Sequence, residues 1–216
     1  MIGMSYLIGS INAGQILSLI GSKNLGKSGS KSFGATNAGR IYGIWAFGLV
    51  FIFDMLKSFI AVIICMGLVK TNEKLFADQW IPIAISFVIV GHCWPVYFSF
   101  KGGKGVASAF GCALALNWIF ALIAIVVFLL VKITNGWTSN ASIAGVLVGV
   151  VLSIFIHPVF IIVHNNGVDL VFEWTLYWTT MVGGVIVGVI SIGRHWPNVK
   201  DMIDGKKPWV RRKDET

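Results

Sequence analysis

The chain has 216 residues, 56% of them hydrophobic and only 12% charged. A soluble domain of this size has no use for so much apolar surface, so the long uncharged runs read as membrane helices. The formal net charge is +8, from 17 basic against 9 acidic residues, and the basic ones gather between the apolar runs, where they set membrane orientation and attract anions. No nucleic acid is expected as a partner, because no basic helix or RNA-binding fingerprint accompanies that charge.

The first apolar segment, about residues 1–20, opens MIGMSYLIGS. It lacks a basic n-region and a small-residue cleavage site, so it is expected to be a retained first helix. Further apolar segments follow at about 41–69, 80–99, 106–131, 141–163 and 174–193. One span takes roughly 20 residues, and every segment except 106–131 suits a single crossing.

Flanking charge bears on the remaining segment. Loop 21–40 carries Lys23, Lys27, Lys31 and Arg40 with no acid, whereas Lys70, Glu73, Lys74 and Asp78 cancel near 70–79. Lys101 and Lys104 follow the third segment, and loop 164–173 has Asp169 and Glu173 with no lysine or arginine. The tail holds Arg194, Lys200, Lys206, Lys207 and Arg211 to Lys213. By the positive-inside rule loop 21–40, the KGGKG loop and the tail are cytoplasmic and the other two loops face outward.

The tail returns inside only if 106–131 crosses an even number of times, which puts residues 132–140 in the cytoplasm. Asn117 would divide that segment into helices of about 11 and 14 residues, roughly 16–21 Å long. Short helices of this kind are tolerated where they line a protein cavity. The expected fold is an all-α integral membrane protein, a polytopic bundle of about seven transmembrane helices, two of them short. The N-terminus is outside, the C-terminus cytoplasmic, and residues 1–216 form one membrane-embedded domain. Six spans with one long fourth helix is the alternative.

Two motifs lack the context their chemistry needs. Residues 21–28, GSKNLGKS, satisfy the P-loop pattern, but that loop works between a strand and a helix, and here it follows an apolar helix. Residues 164–169, HNNGVD, match the HxxxxD pattern of acyl-CoA-dependent glycerolipid acyltransferases, yet the charge pattern puts them opposite every basic loop. Cys65, Cys93 and Cys112 have no CxxC spacing, so neither disulfides nor a zinc site is expected, and adjacent His92 and Cys93 are too few for a metal.

The stretch SGSKSFGATNAGR at 28–40 interleaves glycines with the hydroxyls of Ser30, Ser32 and Thr36, the amide of Asn37 and the guanidinium of Arg40. Backbone N–H groups, hydroxyls and a planar fork suit a phosphate. FKGGKG at 100–105 adds two lysines on glycine hinges, and RHWPN at 194–198 adds His195, a candidate acid or base. Three loops distant in sequence thus converge on one membrane face, and together they indicate an anion site.

In order and spacing, SGSKSFGATNAGR, FDMLKS (53–58), GHCWPVYFSFKGGKGVAS and HWPNV resemble the acyl-phosphate:glycerol-3-phosphate acyltransferases, the bacterial PlsY family. The likeness covers nearly the whole chain. It implies transfer of a fatty acyl group from acyl phosphate to the 1-hydroxyl of glycerol 3-phosphate, giving lysophosphatidic acid and phosphate. It also implies a multi-pass protein of the bacterial cell membrane whose active site faces the cytoplasm. The partners are then the two substrates and the bilayer, with no cofactor or metal, and the protein is taken as a monomer.

Residue by residue, the resemblance assigns catalytic roles to Ser30, Arg40, Lys104, Ser139, His195 and Asn198. Lys101, Gly102, Gly103, Thr36, Asn37 and His92 become substrate contacts. Asp54 and Lys57 match a family pair for which a structural role is expected, since charge within a span must be buried and matched. The chain departs from the family pattern at Lys31 and Ser32, at Gly136, and at Asp201 and Lys207. The competing class, an anion or phosphate transporter, should show internal repeats with matching halves, and none is found.

Overall fold

The computed structural model describes residues 1–71, 80–155 and 174–206. The charges Glu73, Lys74 and Asp78, the HNNGVD hexapeptide, Glu173 and the tail from Lys207 lie outside the described residues. Among those described, every regular element is helical: α1 (Ile2–Ser10), α2 (Ala13–Ile20), α3 (Ala35–Tyr42), α4 (Ile44–Thr71), α5 (Trp80–Cys93), α6 (Val106–Leu116), α7 (Trp118–Asn135), α8 (Thr138–Phe155) and α9 (Trp174–Ile203), with one 3₁₀ turn at Val96–Phe98.

Among the described residues four stretches are long and apolar enough to cross a membrane: Ile44–Thr71, Trp80–Phe98, Trp118–Asn135 and Thr138–Phe155. Their outward faces carry Ile63, Ile64, Leu122, Leu129, Leu147 and Val151, all exposed. In water such a surface would aggregate, whereas in hydrocarbon it needs no partner. The inward faces are small instead. A Cβ on Gly9 of α1 would stand 2.2 Å from the Val88 carbonyl oxygen of α5, and one on Gly91 would stand 2.2 Å from that of Tyr6. Gly111 likewise lets α6 lie on α4, where a Cβ would meet the Met55 carbonyl oxygen at 2.1 Å.

The break at Asn117 falls where the sequence places it. Asn117 is extended, and its Oδ1 accepts hydrogen bonds from Ile119 N and Phe120 N. The second half runs farther than the apolar count, because α7 continues through Lys132 to Asn135 before Gly136, at φ 80°, ends it. At 18 residues it is about 27 Å long, a full span rather than a short one.

Two further expectations are corrected. The segment 1–20 is not one helix, for Ile11 and Asn12 are extended and Asn12 starts a second helix by accepting from Gln15 N. The Ile11 carbonyl, freed at that break, accepts from Lys57 Nζ at 2.6 Å. The RHWPN stretch is not a loop, because α9 carries on through it to Ile203 with Pro197 inside the helix. The GSKNLGKS segment runs from the end of α2 into irregular chain, without the strand a nucleotide-binding P-loop requires.

Candidate active site

A cavity of about 320 Å³ opens where α3, α4, α6, α8 and α9 meet, and it is lined by Ser30, Arg40, Lys104, Ser139, His195 and Asn198. Thr36, Asn37 and His92 line it too, whereas Lys101, Gly102 and Gly103 do not. These residues come from four widely separated parts of the chain.

The loop before α3 is shaped by Asn37, which is 1% exposed. Its Oδ1 accepts from Ser30 N at 2.8 Å, while Nδ2 donates to the carbonyls of Leu25, Ser28 and Ser32 at 2.9–3.0 Å. Gly29 and Lys31 flank Ser30 in the left-handed region, at φ 60° and 54°. A Cβ on Gly29 would lie 2.2 Å from Asn37 Oδ1, so that glycine is needed for space as well as for φ. The side chain of Asn37, itself part of the cavity wall, thus holds Ser30 at the cavity.

The KGGKG loop divides its labour. Gly102 and Gly103 are buried against His92: a Cβ on either would come within 2.1 Å of the His92 carbonyl oxygen or ring Nε2. Lys101 is exposed, and its carbonyl accepts from Gln15 Nε2. Lys104 alone of the loop's lysines reaches the cavity. Arg194, a flanking charge by sequence alone, ties this loop to α9. Its Nη2 and Nε donate to the Gly103 carbonyl at 3.1 and 3.2 Å, and Nη2 also reaches that of Gly102 at 3.4 Å. The guanidinium lies 5.4 Å over the Trp94 ring. Lysine has no planar fork with which to make that set of contacts.

His195, 3% exposed, places Nδ1 2.7 Å from the Ser191 carbonyl oxygen. A carbonyl only accepts, so Nδ1 carries the proton and Nε2 keeps the lone pair. Two residues beyond the last apolar run, burial and then the Lys104 ammonium push its pKa down to about 4, so the ring is neutral at physiological pH. A neutral imidazole with a fixed tautomer can take a proton.

Beneath the cavity, Lys57 Nζ is 2.8 Å from Asp54 Oδ1 and 3.1 Å from His92 Nδ1, in addition to its contact with Ile11. Asp54 and His92 line the cavity; Lys57 stands behind them. The group locks α4 to α5 and to the α1–α2 break, a matched burial of charge.

The electrostatics come from backbone as well as side chains. The first residues of α3 (Ala35, Thr36), α6 (Val106, Ala107) and α8 (Thr138, Ser139) all line the cavity. α3 and α6 begin on Gly34 and Gly105, and neither has a side-chain cap. Helix starts carry unsatisfied N–H groups and partial positive charge, which favour anions. Three starts plus Arg40 and Lys104 give the cavity a positive lining.

Residues 1–205 match the glycerol-3-phosphate acyltransferase family model. The chain belongs to this family. It is 30% identical over 204 residues to the glycerol-3-phosphate acyltransferase of Aquifex aeolicus, covering 94% of both chains. It is 31% identical over 214 residues to that of Halalkalibacterium halodurans, covering 98% of this chain and 95% of the relative. Among solved structures, the chain superposes with a TM-score of 0.75 on the glycerol 3-phosphate form of PlsY (YgiH), an integral membrane glycerol 3-phosphate acyltransferase. Identity there is 28%, over 97% of this chain and 94% of the other; the lysophosphatidic acid form of the same protein gives 0.69.

Sequence reasoning missed Trp137, on the α7–α8 junction beside Ser139, which also lines the cavity. Its only signal was its place beside Gly136.

Proposed function

We propose that the protein transfers a fatty acyl group from acyl phosphate to the 1-hydroxyl of glycerol 3-phosphate, releasing lysophosphatidic acid and phosphate. The observation that carries this reading is the convergence of three helix starts, Arg40 and Lys104 on one cavity that His195 also lines. Both substrates bring phosphate, and that set of positive ends offsets their mutual repulsion.

In the step so proposed, the glycerol hydroxyl oxygen bonds to the acyl carbon and its proton passes to His195 Nε2. The acyl–oxygen bond then breaks, and inorganic phosphate leaves with the electron pair. An acyl phosphate is a mixed anhydride with a good leaving group, so no acyl-enzyme is required and catalysis rests on placement and charge stabilisation. Arg40 and Lys104 hold phosphate oxygens, and Ser30, Ser139 and Asn198 hydrogen-bond the bound groups. Asn37 and the buried glycines act by shaping the loops.

The reading extends to placement in the cell. The protein works as a monomeric, single-domain, multi-pass enzyme of the bacterial plasma membrane, with the N-terminus outside and the cavity facing the cytoplasm. The charge pattern of loop 21–40 and Lys101 and Lys104 supports that orientation.

The test is to incubate purified protein with labelled glycerol 3-phosphate and either acyl phosphate or acyl-CoA. Labelled lysophosphatidic acid is expected from acyl phosphate, with little or none from acyl-CoA, and His164→Ala should transfer at near-wild-type rate. Robust acyl-CoA turnover abolished by His164→Ala would overturn donor and site together.

A further inference from the structure

The wall of the polar cavity has an ammonium behind it. Lys57 stands behind Asp54 and His92, which line the cavity, and its side chain is only 5% exposed. We propose that Lys57 is a positioning residue. It holds His92 in the tautomer with the proton on Nε2, so that this ring offers the cavity a hydrogen-bond donor for a phosphate oxygen. The inference deepens the acyl-transfer reading, and its kinetic test rests on that reading.

The tautomer follows from a count of donors. A lysine ammonium has three N–H donors and no acceptor. Lys57 Nζ has three partners to match: the Ile11 carbonyl oxygen at 2.6 Å, Asp54 Oδ1 at 2.8 Å and His92 Nδ1 at 3.1 Å. A ring nitrogen that accepts from an ammonium carries no proton, so Nδ1 keeps its lone pair and the proton sits on Nε2. The rival arrangement has Asp54 drawing a proton onto Nδ1. Those two atoms are 3.6 Å apart, too far for a hydrogen bond. The nearer group is the cation.

The fold sets each partner of that ammonium. Asp54 and Lys57 stand three residues apart, on one face of α4. The Ile11 carbonyl is available because α1 ends there, at the extended Ile11 and Asn12. His92 is buried and held through its backbone too, its carbonyl accepting from Gly103 N at 3.2 Å. A Cβ on Gly103 would stand 2.1 Å from Nε2, so a glycine there leaves the ring its place. Among the described residues no acceptor reaches Nε2, since the ring's polar contacts are all made by Nδ1.

The two histidines of the cavity are then opposites. His195 has its proton on Nδ1, against the Ser191 carbonyl, and a lone pair on Nε2 that can take a proton. His92 has its lone pair on Nδ1, against Lys57, and a proton on Nε2 that can be shared with an acceptor. An ionised phosphate oxygen only accepts, so it is drawn to an N–H and repelled by a bare nitrogen. Nε2 lies beside Gly103, and Lys104, Gly105 and Val106, which follow it, line the cavity. The donor therefore adds to Lys104 and the uncapped start of α6 instead of making a site of its own.

The experiment records nitrogen NMR spectra of the purified full-length protein, isotopically labelled at its histidines, with His92 assigned by its loss in His92→Gln. A bare imidazole nitrogen resonates well downfield of one that carries a proton. His92 is expected to show a bare Nδ1 and a protonated Nε2, whose signal moves when inorganic phosphate or glycerol 3-phosphate is added. Lys57→Met leaves Asp54 to draw the proton onto Nδ1, so the tautomer should invert. KM for glycerol 3-phosphate should then rise about tenfold or more, with kcat less affected. Adding Asp54→Asn removes the stranded charge and supplies an amide that can donate to Nδ1. That double variant should regain the Nε2 proton and most of the lost KM, and it carries the test if Lys57→Met fails to fold. A protonated Nδ1 in the wild type overturns the inference, and so does an Nε2 signal that neither phosphate moves. A Lys57→Met protein that melts lower yet keeps both tautomer and KM overturns it as well, by showing a structural role alone. Wild-type protein whose Nε2 signal responds to inorganic phosphate, but which transfers nothing from acyl phosphate, would support the donor and remove the acyl-transfer reading.

Discussion

Four of the described helices begin in two different ways. α2 and α7 start on Asn12 and Asn117, whose side-chain oxygens accept from the backbone N–H groups of the first turn. α3 and α6 start on Gly34 and Gly105, which have no side chain to do so, and both starts line the polar cavity. An asparagine cap satisfies the helix from within and is a few tenths of a kcal/mol better than glycine at that position. A glycine start forgoes that and leaves the N–H groups for a ligand. The same local choice thus separates ends built for stability from ends available for an anion.

The largest effect expected on the cavity side is at Arg40, in the last turn of α3. Arg40→Lys keeps the charge but loses the planar fork, and should lower kcat/KM by about 2–4 kcal/mol, roughly 30- to 1000-fold. Near-normal turnover in folded protein would move Arg40 to a topological role.

Gly34→Asp tests the contrast itself. The backbone there is at φ −85°, and an added Cβ meets nothing closer than Ser32 Oγ at 3.6 Å, so the side chain is accommodated. An aspartate would cap α3 as Asn12 caps α2, while putting negative charge in the cavity. KM for at least one phosphate substrate should rise by an order of magnitude, about 1.4 kcal/mol, with the melting temperature unchanged or higher. A variant with unaltered KM would mean that the start of α3 does not bind anion.

At Arg194 the loop's scaffold is tested rather than its charge. Arg194→Lys cannot reproduce the paired donation to the Gly102 and Gly103 carbonyls, so Lys104 should be less well placed. KM is expected to rise several-fold, about 1 kcal/mol, with kcat less affected. An equal fall in kcat with KM unchanged would instead put Arg194 in contact with the reacting atoms.

The smallest kinetic effect belongs to the other class of helix start. Asn12→Ala removes the bond from Gln15 N and should cost about 1 kcal/mol in thermal or denaturant unfolding. Its kcat/KM per folded molecule should stay at the wild-type value. If Asn12→Ala abolished turnover without lowering stability, capping would not be the distinction between the two regions.

Much of this was legible in the chain. Apolar run length and flanking charge gave membrane helices, and Asn117 marked the break in 106–131 because an asparagine amid apolar residues makes a good helix start. The loop motifs carried the candidate residues, and nine of the twelve line one cavity. Run length did not reveal the break at Ile11 and Asn12. Nothing in MIGMSYLIGS looks different from a continuous helix, and the carbonyl freed there is satisfied by Lys57, 46 residues away. The RHWPN stretch read as a loop because proline lacks the N–H an interior helix position needs, yet α9 continues through it.

By itself the sequence determined the class of protein and most of the side chains that line its cavity, since those depend on composition and short-range spacing. Only the tertiary structure decided what each side chain is free to do. It turned Asn37 into a loop brace, set Gly102 and Gly103 as packing against His92, and made Arg194 the tie between two motifs. It also brought three helix starts to one point. These outcomes depend on which surfaces lie within about 4 Å of one another, and that follows from how small-faced helices pack in a membrane, a relation between distant residues that no local spacing records.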